Sequence, residues 1–155
     1  MAQAGCPPRL PVELCAVQLS DLGFAFAVTE AAMRGYVEQT WGAWQHDVQF
    51  DNHAKSFNPA THQVISVGGA AAGLIAVATT ASHVQLEKLY LLPAFRNHGI
   101  GSQVLQSVLA RAAAQRKPVR LRVLAVNTAA QRFYARHGFV VTDTTAERVF
   151  MQSRA

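Results

Sequence analysis

Cysteine is nearly missing from this chain. Cys6 and Cys15 are its only two, in 155 residues. They form no C-x-x-C pair and cannot make a disulfide framework, so a reduced, cytoplasmic setting is expected. Metal-ligand spacing is missing as well. His46, His53, His62, His83, His98 and His137 make no H-x-x-x-H or H-E-x-x-H pair, and no metal site is expected. No apolar run approaches the roughly 20 residues that a bilayer span requires. The longest, Gly68 to Ala78, is far shorter, and no membrane association is expected. The opening Met1 to Pro8 has no charged segment ahead of an apolar one, so it is not expected to be a signal peptide. No Gly-x-Ser-x-Gly elbow offers a serine nucleophile. Acidic residues are scarce too, 9 against 14 Lys and Arg, for a net charge of +5. That excess is dispersed, from Arg96 and Arg111 through Arg120, Arg122 and Arg136 to Arg154, without a dense block. Specific nucleic-acid binding is therefore not expected, whereas a polyphosphate ligand would reward the same potential.

What is present is an ordinary globular composition, 50% hydrophobic and 15% charged. Such a chain can bury a core without staples, and residues 1–155 are expected to form one domain. Residues 1–11, small and Pro-rich, read as a loose tail. Val12 to Leu19 reads as a first strand. Ser20-Asp21 starts a helix whose Leu22, Phe26, Thr29, Met33 and Val37 recur at steps of four and three. Gly42 interrupts it, and a second helical piece runs from Trp44 to Phe57 before Asn58-Pro59. Thr61 to Val67 and Ala71 to Thr79 flank Gly68-Gly69 as a hairpin. His83 to Leu92 reads as a strand. Ile100, Val104, Leu105, Val108, Leu109 and Ala112 line one helix face, and Pro118 opens a strand to Asn127. Thr128 to His137 is helical and closes on Gly138. Phe139 to Thr144 and Arg148 to Gln152 are the last strands.

Between the fourth strand and third helix lies Arg96-Asn97-His98-Gly99-Ile100-Gly101. A glycine-spaced turn there leaves the N–H groups of Asn97 to Ser102 unpaired at a positive helix end, which makes an anion site. It is neither a P-loop nor a G-x-G-x-x-G dinucleotide turn. The bland alternative is a turn that binds nothing.

The pattern [RQ]-x-x-G-x-[GA] after a strand resembles the pyrophosphate-binding motif of the GNAT superfamily of N-acetyltransferases. Val123 to Asn127, Ala130, Phe133-Tyr134 and His137-Gly138-Phe139 resemble that superfamily's second signature. The likeness covers residues 83 to 140 with specific motifs; the N-terminal half matches in element order alone. It implies an α/β (α+β) GNAT fold, a mixed, mostly antiparallel central sheet flanked by helices in the order β-α-α-β-β-β-α-β-α-β-β. It also implies transfer of the acetyl group of acetyl-CoA to a primary amine in a ternary complex, the acceptor being a small molecule, peptide or protein. Self-association as a homodimer is left open. The rival reading is a non-catalytic acyl-CoA-binding module.

The resemblance assigns roles residue by residue. Leu89, Tyr90 and Leu91 would offer backbone groups to the pantetheine arm, and Arg96, Asn97, His98, Gly99, Ile100, Gly101 and Ser102 would hold the pyrophosphate. Asn127 would bond the pantetheine, unless it simply caps the following helix. Tyr134 would protonate the departing thiolate, a phenol matched to a leaving group of similar basicity; packing beside Phe133 is the alternative. A strand glutamate serves several members as base, but Gln85 occupies one such position and Arg122 another. Glu87, a water chain or Asp47 is left. Glu87 shares a face with Gln85 and Leu91 if the strand alternates regularly. Tyr36, Thr40, Trp41 and Trp44 fall where the fold covers its acceptor. They would suit an apolar or aromatic amine or a cation on a ring face, or else they fill a helix corner.

Overall fold

The computed structural model describes residues 11–154. Apart from Pro11, the expected tail lies outside them, and so does Cys6. The strands are β1 (Val12–Ala16), β2 (His62–Val67), β3 (Ala70–Thr79), β4 (Val84–Leu91), β5 (Val119–Leu124), β6 (Phe139–Thr144) and β7 (Arg148–Ser153). The helices are α1 (Leu22–Trp41), α2 (His46–Ser56), α3 (Ile100–Ala114) and α4 (Thr128–Arg136). One seven-stranded sheet has the order β1-β2-β3-β4-β5-β7-β6. Every neighbouring pair is antiparallel except β4–β5. The element order and sheet are those expected.

Local chemistry explains the connections. Gly68 and Gly69 have φ of 58° and 85°, the left-handed pair that a two-residue hairpin turn needs. β1 stops at Ala16, short of the expected Leu19. There the chain turns into a short 3-10 turn, Leu19–Asp21, held by the Gln18 N–H donating to the Asp21 carboxylate at 2.8 Å. β5 likewise ends at Leu124 rather than Asn127, because the chain tightens into a turn, the Asn127 N–H donating to the Leu124 carbonyl at 2.9 Å.

The helices cover both faces of the sheet. On one, Ile100, Val104, Leu105, Val108 and Ala112 of α3 pack with Val84, Leu86, Leu121 and Met151. This is the periodic face read from the sequence. Leu105 is fully buried, and Leu105→Ala should cost about 2–5 kcal/mol. On the other face Ala25 and Val28 of α1 close over Phe57 and Leu74. The 20 residues of α1 make a helix of roughly 30 Å, longer than this core. Its first turns are therefore buried, while Thr29, Met33 and Val37, expected on the same buried face, line an open cleft further along.

Two features of β4 create that cleft. It pairs with β5 only at Val84↔Val119 and Gln85↔Arg120, after which the strands part. Opposite β3 the register moves from Val77↔Leu86 to Ala76↔Lys88, which leaves Glu87 as the extra residue of a bulge. Bulges reverse the alternation of side chains. Val84 and Leu86 before it, and Leu89 and Leu91 after it, all pack toward the α3 core, whereas Tyr90 and Leu92 face the α1 core. The regular alternation that put Gln85 and Leu91 on one face is thus broken at Glu87.

Candidate active site

Where β4 and β5 separate, a cleft of about 940 Å³ opens between α1, the turn before α3, and α4. From Leu86 to Leu91 the β5-facing edge of β4 forms no ladder, so its alternate N–H and C=O groups are presented to the cleft. β3 holds this edge from behind. At Gly73, opposite Leu91, an added Cβ would fall on the Tyr90 carbonyl, so only glycine permits the approach.

The glycine turn stands at the mouth of the cleft. Asn97 and Gly99 have φ of 64° and 78°, and α3 begins at Ile100 with Gly99 as its cap. The first N–H groups of α3 have no intrahelical partner. Arg96, Asn97, Gly99, Ile100, Gly101 and Ser102 line the cleft, while His98 does not. A Cβ at Gly101 would stand 3.5 Å from Phe133 and 3.8 Å from Leu91, in ordinary contact with two other residues of the cleft lining. Arg96 donates through Nε to the Leu91 carbonyl at 3.0 Å, tying the turn to the end of β4. Ser102 Oγ lies 3.0 Å from His137 Nε2, which joins the start of α3 to the end of α4.

On the opposite wall, Asn127 caps α4, its side-chain oxygen accepting from the Ala130 N–H at 3.1 Å. The residue also lines the cleft, so capping leaves its amide NH2 available. Gln131, which the sequence did not single out, donates to the carbonyl of Ala125 at 3.0 Å. It satisfies the frayed end of β5.

Tyr134 is buried yet lines the cleft, with its ring 5.2 Å from Phe133 and 5.4 Å from Phe139. The packing and acid readings are compatible. Burial pushes its phenol well above the usual tyrosine value, and the neighbouring Tyr90 adds to this. Tyr90 is itself pushed up to about 12 by burial, with Arg122 pulling it back. Both phenols therefore keep their protons through the neutral range.

The base candidates separate clearly. Glu87 is exposed on its bulge and lines the cleft. Gln85 is not among the lining residues; its side chain meets His83 Nε2 at 3.2 Å. Asp47 lies exposed in the first turn of α2, away from the lining. Arg122 does line the cleft. Among the described residues no group of His, Cys, Asp and Glu is placed to hold a metal ion, and no helix is long and apolar enough to cross a membrane.

Of the expected acceptor residues, Tyr36, Trp41 and Trp44 line the cleft, while Thr40 does not and donates to the Tyr36 carbonyl at 2.8 Å. Trp41 is 50% exposed. Trp44 serves partly as packing, 6.3 Å from Phe26 in a cluster that includes Phe50 and His53. Sequence reading missed Arg148, whose guanidinium lies 5.4 Å from the Trp41 ring. It also missed Lys88, whose Nζ lies 3.2 Å from the buried His62. Neither sits in a motif; strand pairing alone brings them in.

The chain resembles solved acetyltransferases over nearly its whole length. The PaiA N-acetyltransferase of Thermoplasma acidophilum, crystallised with coenzyme A, superposes with a TM-score of 0.75 at 17% identity, covering 94% of this chain and 100% of that one. The ribosomal-protein-S18-alanine N-acetyltransferase of Escherichia coli gives 0.69 at 16%, covering 94% and 96%. Arabidopsis thaliana Naa50, in complex with the bisubstrate analogue CoA-Ac-MVNAL, gives 0.67 at 19%, covering 93% and 99%. At such identities the likeness establishes the fold alone. No curated protein sequence matches the chain. The model of the acetyltransferase (GNAT) family matches residues 27–139, spanning the parted strands, the glycine turn and Tyr134, and the chain belongs to that family.

Proposed function

We propose that this protein is an N-acetyltransferase that moves the acetyl group of acetyl-CoA onto a primary amine by direct attack in a ternary complex. The observation that carries the reading is the parting of β4 and β5 directly behind the glycine turn. A helix end suited to an anion, an unpaired strand edge and a tyrosine along one cleft support the reading. Pyrophosphate fits the turn because the N–H groups of Gly99 to Ser102 converge with the positive end of α3 and no side chain stands at Gly101. The pantetheine arm fits the bare edge of β4 and the amide of Asn127. Backbone N–H groups near Leu91 are the donors suited to polarise the thioester carbonyl.

The remaining chemistry is proton management. An amine of pKa near 10 must lose a proton before it attacks, and Glu87 is the sole carboxylate of the cleft lining. As the new N–C bond forms and the C–S bond breaks, the thiolate takes its proton from Tyr134, which burial keeps protonated beforehand but also makes a weaker acid than the free phenol matched to the thiolate. The acetyltransferases of this fold named above include one bound to a CoA–peptide bisubstrate and one named for a ribosomal protein.

A second reading, a non-catalytic acyl-CoA-binding module, draws on Gln85 and Arg122 standing where other members carry a base. Release of coenzyme A thiol, followed with acetyl-CoA and a panel of amines, separates the two. Amine-dependent release supports transfer. Binding of acetyl-CoA with no release across amino acids, polyamines, aromatic amines and peptides supports the module.

A further inference from the structure

The cleft carries more cationic side chains than the glycine turn itself contributes. Among the described residues, five basic side chains, Lys88, Arg96, Arg122, Arg136 and Arg148, and one acid, Glu87, line it. The ion pairs among the described residues join Arg34 and His46 to acids of α1, so none of the five is paired. Arg96 donates to the Leu91 carbonyl and Lys88 is turned to His62, while Arg136 and Arg148 lie over aromatic rings, 6.0 Å from Phe133 and 5.4 Å from Trp41. Arg122 and Arg148 are the pair that the sheet brings to one side. Arg122 stands opposite Phe150, and Arg148 opposite Leu124, so both project from the same side of the sheet. Leu121, Val149 and Met151 take the other side, into the α3 core. The two arginines therefore share the α1 side, where Met33, Tyr36 and Trp41 form the wall. The Trp41 ring carries the Arg148 guanidinium at 5.4 Å, so a cationic acceptor in this part of the cleft would meet like charge.

We propose that the acceptor is an α-amino acid with an aromatic or large apolar side chain, its carboxylate held by Arg148 and Arg122 and its side chain laid against Met33, Tyr36 and Trp41. The inference rests on the acetyl-transfer reading above. A guanidinium presents a planar fork that takes a carboxylate through two parallel N–H bonds. Stacking on Trp41 restrains Arg148 beforehand, which lowers the ordering cost on binding. Polyamines meet like charge in the same space and are selected against.

Binding and turnover test it separately. With coenzyme A saturating, calorimetry compares N-acetyl-L-phenylalanine with N-acetylphenethylamine, which lacks only the carboxylate. The acid should bind at least about tenfold tighter, the scale of a charge-assisted hydrogen bond. Arg148→Gln should erase the preference and Arg148→Lys should restore part of it. The rise in melting temperature produced by coenzyme A should stay at the wild-type value in both, which establishes that the variants fold. Equal binding, no binding of either compound, or a preference untouched by Arg148→Gln and Arg122→Gln overturns the proposal. So does faster turnover of spermidine or a peptide amine than of phenylalanine. A carboxylate preference without any amine-dependent release of coenzyme A supports the carboxylate site and contradicts acetyl transfer instead.

Discussion

Lys88 reaches across its neighbouring strand to His62, with Nζ 3.2 Å from Nε2. His62, Ala76 and Lys88 are in register on β2, β3 and β4, and the small Ala76 leaves the path clear. The direction of the bond follows from the lysine, whose ammonium can only donate, so Nε2 accepts. Nδ1 meets Thr61 Oγ1 at 2.9 Å, the Asn58 carbonyl at 3.0 Å and the Asn58 N–H at 3.4 Å. Burial first and then the charge of Lys88 hold His62 below its ordinary pKa, and burial also lowers Lys88.

The same cluster makes stability depend on pH. His53 lies between Phe26 and Phe57, at 5.6 and 5.8 Å, with both ring nitrogens buried and unpartnered. Burial, then the charges of Lys88 and His62, pull its pKa from 6.5 down to about 4. Between those values the unfolded chain binds a proton that the folded chain refuses. Stability should be full above pH 6.5 and fall as the pH drops toward 4, by about 1.4 kcal/mol per pH unit for one proton. Urea melts across this range check the slope. His53→Phe should reduce it, leaving the share that belongs to His62, and an unchanged slope in that variant would remove His53 as a cause.

Tyr134→Phe keeps the ring packed between Phe133 and Phe139 and deletes only the hydroxyl. Turnover should fall by about 100-fold, at the lower end for a positioned acid, while acetyl-CoA affinity stays near wild type. Steady-state rates with calorimetry of acetyl-CoA measure both. Equal rates in wild type and variant would reduce Tyr134 to a packing residue.

Glu87→Gln retains shape and removes the proton acceptor from the bulge. If Glu87 is the base, the rate should drop by about 100-fold or more, and the deficit should shrink as pH approaches the amine's own pKa. A loss below about tenfold without a pH trend would point to ordered water as the base, since Asp47 stands outside the cleft lining.

What the sequence made legible was whatever depends on neighbours along the chain. The Gly68-Gly69 hairpin, the α3 face from Ile100 to Ala112, the turn at Asn97 to Gly101 and the cap at Asn127 all follow from local spacing. The bulge at Glu87 was not legible, because it exists only in the pairing of β4 with β3. Nor was the division of α1 into a buried start and a cleft-lining end, since both halves carry the same periodicity and differ in what lies beneath them. Arg148 was missed for a similar reason: 107 residues of chain separate it from Trp41, and the sheet order closes that gap.

If acetyl-CoA sits in the cleft behind the glycine turn, its binding depends on the absence of a side chain at Gly101, and thermal melting of wild type and Gly101→Asp with acetyl-CoA measures that dependence. A Cβ at this position makes ordinary contact, 3.5 Å from Phe133, and a carboxylate in the first turn of α3 is favourable to the helix. The variant should therefore melt near the wild-type temperature without ligand. At about a hundred times its dissociation constant, acetyl-CoA should stabilise wild type by about 2.7 kcal/mol and leave Gly101→Asp unmoved, because the new charge faces the pyrophosphate. Equal stabilisation of the two proteins, or none in wild type, would contradict the account.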